Sequence, residues 1–254
     1  MNLDLGERLQ FGRLSFRKFG ASDGVPVLLI HGAPGSWRDW ESVVLDRDAQ
    51  QKYHLYAVDR QGYGESAKGK FESRFEPQMI ELCSLASHIA NNEMSPIIVV
   101  GHSYGAPLAA YVAQHLAKSD QALGAVFLSG VLAAWKNHPR WYHRYSLKSL
   151  IRSLVPDRYI KASSEMFYVR PSLVKLLGEW ERFPCPIALA HCQDDRLIPF
   201  ENSEAINERA AERVVHFKKI EKIGHRLPHK SPQTVIDAID SIASHATIQA
   251  ASVD

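Results

Sequence analysis

Residues 99–116, VVGHSYGAPLAAYVAQHL, pass from a β-branched run through two glycines flanking a serine into a stretch of helix formers. The first part predicts a strand and the last a helix, so Gly101-His102-Ser103-Tyr104-Gly105 must make the turn between them. Such a turn lifts the serine hydroxyl clear of the sheet, in backbone space where a side chain two residues either way would collide with its neighbours. The pattern G-x-S-x-G is a modest signal by itself; its place between strand and helix carries more.

Similar short apolar runs recur along the chain: VPVLLI (25–30), YHLYAVD (53–59), PIIVVG (96–101), GAVFLSG (124–130), CPIALAHC (185–192) and RVVHFKKI (213–220). They are mostly continuous rather than alternating, as strands buried on both faces of a parallel sheet are. SWRDWESVVLD (36–46), FEPQMIELCSLASHIANNE (75–93) and SYGAPLAAYVAQHLAKS (103–119) lie between them with helical spacing. LQFGRLSFRKFG (9–20) alternates instead, which suggests an antiparallel strand or hairpin arm at the start. The succession predicts an α/β class: an open, mostly parallel sheet with helices on both faces and ligands at the carboxyl ends of its strands.

One stretch breaks the rhythm. Residues 131–183 hold no buried-strand run but do hold helix-like pieces, HRYSLKSLIRSLV (143–155) and RPSLVKLLGEW (170–180). About fifty residues are too many for a structureless connection, so 131–183 is expected to be a helical cap on a core formed by 1–130 and 184–254. The insertion carries ten Lys or Arg against four Asp or Glu, fitting either solvated helix faces or a preference for anionic substrates. Its aromatics Trp135, Trp141, Tyr142, Tyr145, Phe167 and Tyr168 line a pocket or form the cap's own core.

The chain has 254 residues, 45% of them apolar, with 30 basic and 28 acidic side chains and a net charge of +2. That near balance supplies no field for nucleic acid or a membrane surface, and a small molecule is the expected partner. Oligomeric state is not legible. Cys83, Cys185 and Cys192 form no CxxC pair, which suggests neither a disulfide framework nor a metal site and fits reduced thiols. The N-terminal MNLDLGERLQ is too acidic for a signal peptide, and no run approaches the roughly 20 apolar residues of a spanning helix. A cytoplasmic protein is expected.

A serine hydroxyl is a weak nucleophile until a base takes its proton, and a carboxylate must fix that base's tautomer. HCQDDRLIP (191–199) places Asp194 and Asp195 after one apolar run, and KIGHRLPHKSPQTV (222–235) places His225 in a loop after the last. The order Ser, Asp, His suits a strand-turn-helix nucleophile. Two backbone N–H groups must also face the developing oxyanion. Tyr104, next to the serine, is one candidate; HGAPGS (31–36) offers Ala33 as the other, since Pro34 has no N–H. His229 is the less favoured base; His31 and His102 read as structural, and Asp59 and Arg60 in DRQGYGES (59–66) as turn-stabilising. Ser129 and Gly130 end a strand where neither can serve as the acid.

These residues together resemble the α/β-hydrolase fold superfamily over nearly the whole chain outside the insertion. HGAPGS is similar to the family's oxyanion loop, GHSYG to its nucleophile elbow, and DDRLIP and GHRLPH to its acid and base loops. The resemblance implies a mostly parallel eight-stranded sheet, an inserted helical lid and a triad of Ser103, Asp195 and His225 that needs neither cofactor nor metal. It selects Asp195, four residues before Pro199, over Asp194. Cys192 departs from the glycine common in relatives. Serine at the elbow disfavours the epoxide-opening and halide-displacing branches, which use aspartate there. The expected activity is hydrolysis of a small or medium carboxylic ester, with thioester, lactone, amide or carbon–carbon cleavage using the same parts. The alternatives are a non-hydrolytic ligand-binding or sensor protein, and a cofactor-free perhydrolase or haloperoxidase-like activity.

Overall fold

The computed structural model describes residues 5–66, 71–133 and 153–251. Eight strands form one sheet: β1 (Glu7–Phe11), β2 (Leu14–Gly20), β3 (Val25–Ile30), β4 (Tyr53–Asp59), β5 (Ile97–His102), β6 (Ala122–Leu128), β7 (Ile187–Cys192) and β8 (Val214–Ile220). Their spatial order is β1-β2-β4-β3-β5-β6-β7-β8. β2 runs antiparallel to both neighbours, β1 and β4, and every other pair is parallel. The expected α/β class and mostly parallel eight-stranded sheet are what the chain forms.

Both faces of the sheet are covered, which is why its central strands read as continuous apolar runs. Leu28 and Ile30 of β3 join a core with α3 (Phe75–Glu93) and α4 (Gly105–Ala117). Val27 and Leu29 point the other way, into a second core with Trp37, Trp40 and the helices α1 (Glu41–Val44) and α2 (Arg47–Lys52). β8 differs from its neighbours. Its residues are only partly buried or exposed, because it is the sheet's edge and Lys218 and Lys219 face water.

The segment 36–46 is not one helix: a 3-10 turn (Trp37–Trp40) precedes α1, capped by Ser36 and Asp39 in a reciprocal box. Beyond the sheet's centre lie α5 (Asp157–Leu177), α6 (Glu201–Arg209), α7 (Leu227–Lys230) and α8 (Pro232–Ala251). α5 begins well before the expected 170–180 piece and carries Pro171 inside it. Residues 143–152 of the other expected cap helix lie outside the described residues, as do Trp135, Trp141, Tyr142 and Tyr145. α8 was not read from sequence, although Val235, Ile239 and Ile242 recur at helical spacing and are buried on the second core.

The two glycines of the central turn are fixed by contact. A β-carbon on Gly105 would strike the Ile30 and His31 carbonyl oxygens, and one on Gly101 would strike the Gly105 carbonyl. Backbone cannot yield there as a flexible side chain can. Gly105→Ala is therefore expected to destabilise the fold by about 2 kcal/mol or more, measured by urea unfolding; a loss below ~0.5 kcal/mol would contradict this packing.

Candidate active site

Ser103 lies between β5 and α4 with φ 55°, a left-handed conformation that serine rarely adopts. The turn holds it there: its N–H donates to the Leu128 carbonyl at 2.9 Å, and its own carbonyl accepts from Ala106 and Val131 N–H, each at 3.1 Å. Its hydroxyl faces the carboxyl ends of the strands, where the loops after β3, β7 and β8 converge.

From the loop after β8, His225 brings Nε2 to 2.9 Å from Ser103 Oγ. From the loop after β7, Asp195 Oδ2 stands 2.7 Å from His225 Nδ1. Burial alone pushes the Asp195 carboxyl up, but hydrogen bonds from His191, His225 and the Ile198 N–H prevail and hold it below the usual carboxylate range. Its Oδ1 accepts from Leu197 and Ile198 N–H at 2.8 and 3.0 Å. An ionised Asp195 accepts only, so His225 carries its proton on Nδ1 and turns the Nε2 lone pair to the serine hydroxyl. The three residues singled out from the sequence are thus brought together.

The other acid does separate work. Asp194 Oδ1 accepts from the Cys192 thiol at 2.7 Å and from Gly224 N–H at 2.9 Å, tying the β7 loop to the loop that carries His225. Cys192 also accepts from Ile223 N–H at 3.3 Å and is buried, so it packs and links rather than reacts. His191 is a neighbour that sequence reading missed. Its Nε2 donates to the Ile198 carbonyl at 3.1 Å and stands 3.5 Å from Asp195 Oδ2, while Nδ1 accepts from Ser203 Oγ at 2.8 Å.

The loop after β3 passes close to the serine: a β-carbon on Gly32 would sit 2.9 Å from Ser103 Cβ. Ala33, the next residue, lines the same pocket as Ser103, and Tyr104 opens the turn into α4. His31 and His102 are structural, as expected. His31 donates from Nδ1 to the Gly32 carbonyl at 2.7 Å and accepts at Nε2 from Arg60 N–H at 2.9 Å, so it is neutral. His102 donates from Nε2 to the His225 carbonyl at 2.9 Å. Asp59 holds the turn, accepting from Trp37 and Glu65 N–H at 2.6 and 2.7 Å. Arg60 does more than stabilise that turn. It is buried against Glu165 of α5, at 2.6 Å, a pairing that no local sequence pattern announces.

A pocket of about 910 Å³ opens over Ser103. Ala33, Tyr104, Met166, Ile198 and His225 lie on its wall, with Tyr159, Leu197 and His229 among its outer residues. Phe167 and Tyr168 are exposed and do not line it. The basic excess of the insertion reaches the pocket through Arg158 and Lys161; Lys161 is paired with Asp157 at 2.8 Å.

A serine, a histidine and an aspartate linked in this order at the carboxyl edge of a mostly parallel sheet are an arrangement typical of α/β-hydrolase folds. The chain belongs to the alpha/beta hydrolase family, whose model matches residues 27–238. A multifunctional-autoprocessing repeats-in-toxin of Vibrio vulnificus is 30% identical over 108 residues, 42% of this chain and 2% of that protein. A soluble epoxide hydrolase of Corynebacterium sp. (strain C12) is 29% identical over 93 residues, 37% of this chain and 31% of that one. The chain thus spans a third or less of these relatives. Among solved structures, an esterase from Thermogutta terrifontis superposes with a TM-score of 0.68 at 21% identity, over 92% of this chain and 93% of that one. No helix among the described residues is long and apolar enough to cross a membrane.

His102 supplies a pH test. Burial, reinforced by the charge of His225, lowers it from 6.5 to about 3. The unfolded chain takes up this proton below 6.5 and the folded chain only near 3, so stability falls as pH drops through that window. Replacing it in His102→Gln is expected to reduce the slope of unfolding free energy against pH, between about 4 and 6, by about one proton. An unchanged slope in urea unfolding would contradict a neutral His102.

Proposed function

We propose that this protein is a serine hydrolase that cleaves a small or medium carboxylic ester, thioester or lactone through an acyl-enzyme on Ser103. The observation that carries the reading is the relay from Ser103 Oγ to His225 Nε2 and from His225 Nδ1 to Asp195 Oδ2, at 2.9 and 2.7 Å. Ser103 Oγ attacks the acyl carbon as its proton passes to His225 Nε2, and the carbonyl electrons move onto oxygen. The Ala33 and Tyr104 N–H groups receive that oxyanion. When the electrons return, the bond to the leaving alcohol breaks and His225 gives the alcohol its proton. Water then attacks the acyl carbon, losing a proton to His225, and Ser103 leaves with that proton restored. Asp195 keeps the imidazole in the correct tautomer and stabilises its charged form.

Residues 131–183 act in this reading as the cap. The support is that Arg158, Tyr159, Lys161, Ala162 and Met166 of α5 line the pocket above Ser103. The likeness to epoxide hydrolase does not extend to the attacking group, which here is a serine hydroxyl rather than a carboxylate. A cytoplasmic setting and a small-molecule acyl substrate complete the proposal; three free, buried thiols support the first.

A panel of p-nitrophenyl esters of increasing acyl length tests it. Wild type is expected to turn over the shorter members, Ser103→Ala to lose roughly a million-fold in kcat, and Asp195→Asn about ten-thousand-fold. A Ser103→Ala variant that keeps turnover overturns the serine mechanism. A wild type that binds esters without cleaving any of them favours the ligand-binding alternative.

A further inference from the structure

Arg60 lies directly behind the loop that offers Ala33 to the oxyanion. Each of its five side-chain N–H bonds has an acceptor. Nε donates to the His31 carbonyl at 3.1 Å and Nη2 to the Gly32 carbonyl at 2.8 Å. Nη1 donates to Gln78 and Glu165, each at 2.6 Å, and Nη2 also reaches the second Glu165 oxygen at 3.3 Å. The guanidinium carbon also lies over the rings of Tyr63 and Tyr104, 4.8 Å from each centroid. Neither charged side chain of the pair has any exposure.

A buried ion pair is weak evidence for stability, because removing two charges from water costs about as much as their attraction returns. What this pair holds is more informative. The Gly32 carbonyl and the Ala33 N–H belong to one planar trans peptide, so they point in opposite directions. Arg60 and His31 Nδ1 both donate to that carbonyl and so fix the plane of the peptide. The Ala33 N–H stands at the opposite edge of that plane, among the described residues no backbone carbonyl accepts it, and Ala33 shares the pocket wall with Ser103. A cation on the carbonyl also draws electrons through the amide and makes its N–H a stronger donor.

We propose that Arg60, anchored by Glu165, is a positioning residue for the Ala33 oxyanion donor. Through it α5 is coupled to the catalytic step. The proposal rests on the acyl-transfer reading at Ser103. Glu165 balances the buried charge of the guanidinium and, by contacts from both of its oxygens, fixes it against the loop.

The test compares wild type with Arg60→Met/Glu165→Met, which replaces the pair by apolar chains of similar length, and with Arg60→Lys, which keeps the charge but not the fork. Each variant is measured for melting temperature, kcat, KM and affinity for a trifluoromethyl ketone, which forms a tetrahedral oxyanion on Ser103. The double variant is expected to stay folded and to lose about tenfold to a hundredfold in kcat, approaching the loss seen when one oxyanion donor is removed. Inhibitor affinity should fall by the same factor, with KM changed by less than about threefold. Arg60→Lys should fall between the two.

A folded double variant with wild-type kcat and inhibitor affinity overturns the proposal. So does one whose losses appear in KM alone. If the double variant does not fold, Arg60→Lys decides: parallel loss of kcat and inhibitor affinity supports positioning, and no loss overturns it. Ser103→Ala separates this inference from the reading beneath it. Retained turnover there refutes the serine mechanism, whereas an inert Ser103→Ala beside an unaffected Arg60 variant refutes only the positioning role.

Discussion

The left-handed turn at Ser103 is the constraint on which the rest of the site depends. Holding a non-glycine residue at φ 55° costs roughly 1–2 kcal/mol. Three backbone hydrogen bonds and the packing of α4 against β5 and β6 offset that cost. Gly105 lets the first turn of α4 come into backbone contact with the end of β3, and Gly101 lets β5 close on that same turn. A side chain at Gly105 would open that contact and move both candidate oxyanion amides at once.

Around this fixed point the other groups are placed by loops, and each loop is held by its own polar contacts. The β7 loop is closed on itself by Leu197 and Ile198 donating to Asp195, and joined to the His225 loop through Asp194 and Cys192. His102, beside the serine, holds the His225 backbone. The arrangement spreads the task of positioning over groups that never meet a substrate. It also explains why two aspartates and several histidines crowd one edge of the sheet while only Asp195 and His225 join the relay.

The sheet and the turn were legible because each leaves a local mark, whereas in the relay Asp195 was set apart from Asp194 only by the family resemblance. Buried parallel strands are continuous apolar runs, and the tight turn demands small residues at fixed spacing. β8 resembled its neighbours in sequence, yet as the edge strand it is covered only in part. What stayed unread depends on distance along the chain. Arg60 and Glu165 are 105 residues apart, and each is an ordinary charged residue within its own segment. Glu165 stands in an insertion rich in basic residues, and Arg60 directly follows an aspartate that does hold a turn. Nothing local distinguishes a buried pair from two solvated charges. His191 was hidden similarly, inside an apolar strand where its polar partners come from α6 and the loop before it.

The central claim is that turnover passes through an ester bond to Ser103. Rapid-quench mass spectrometry of the protein mixed with a chromogenic ester tests it most directly. The account predicts an adduct of the acyl mass on the tryptic peptide containing Ser103, formed as fast as the first equivalent of alcohol is released and decaying at the steady-state rate. A steady release of alcohol that continues with no adduct, and persists in Ser103→Ala, would contradict it.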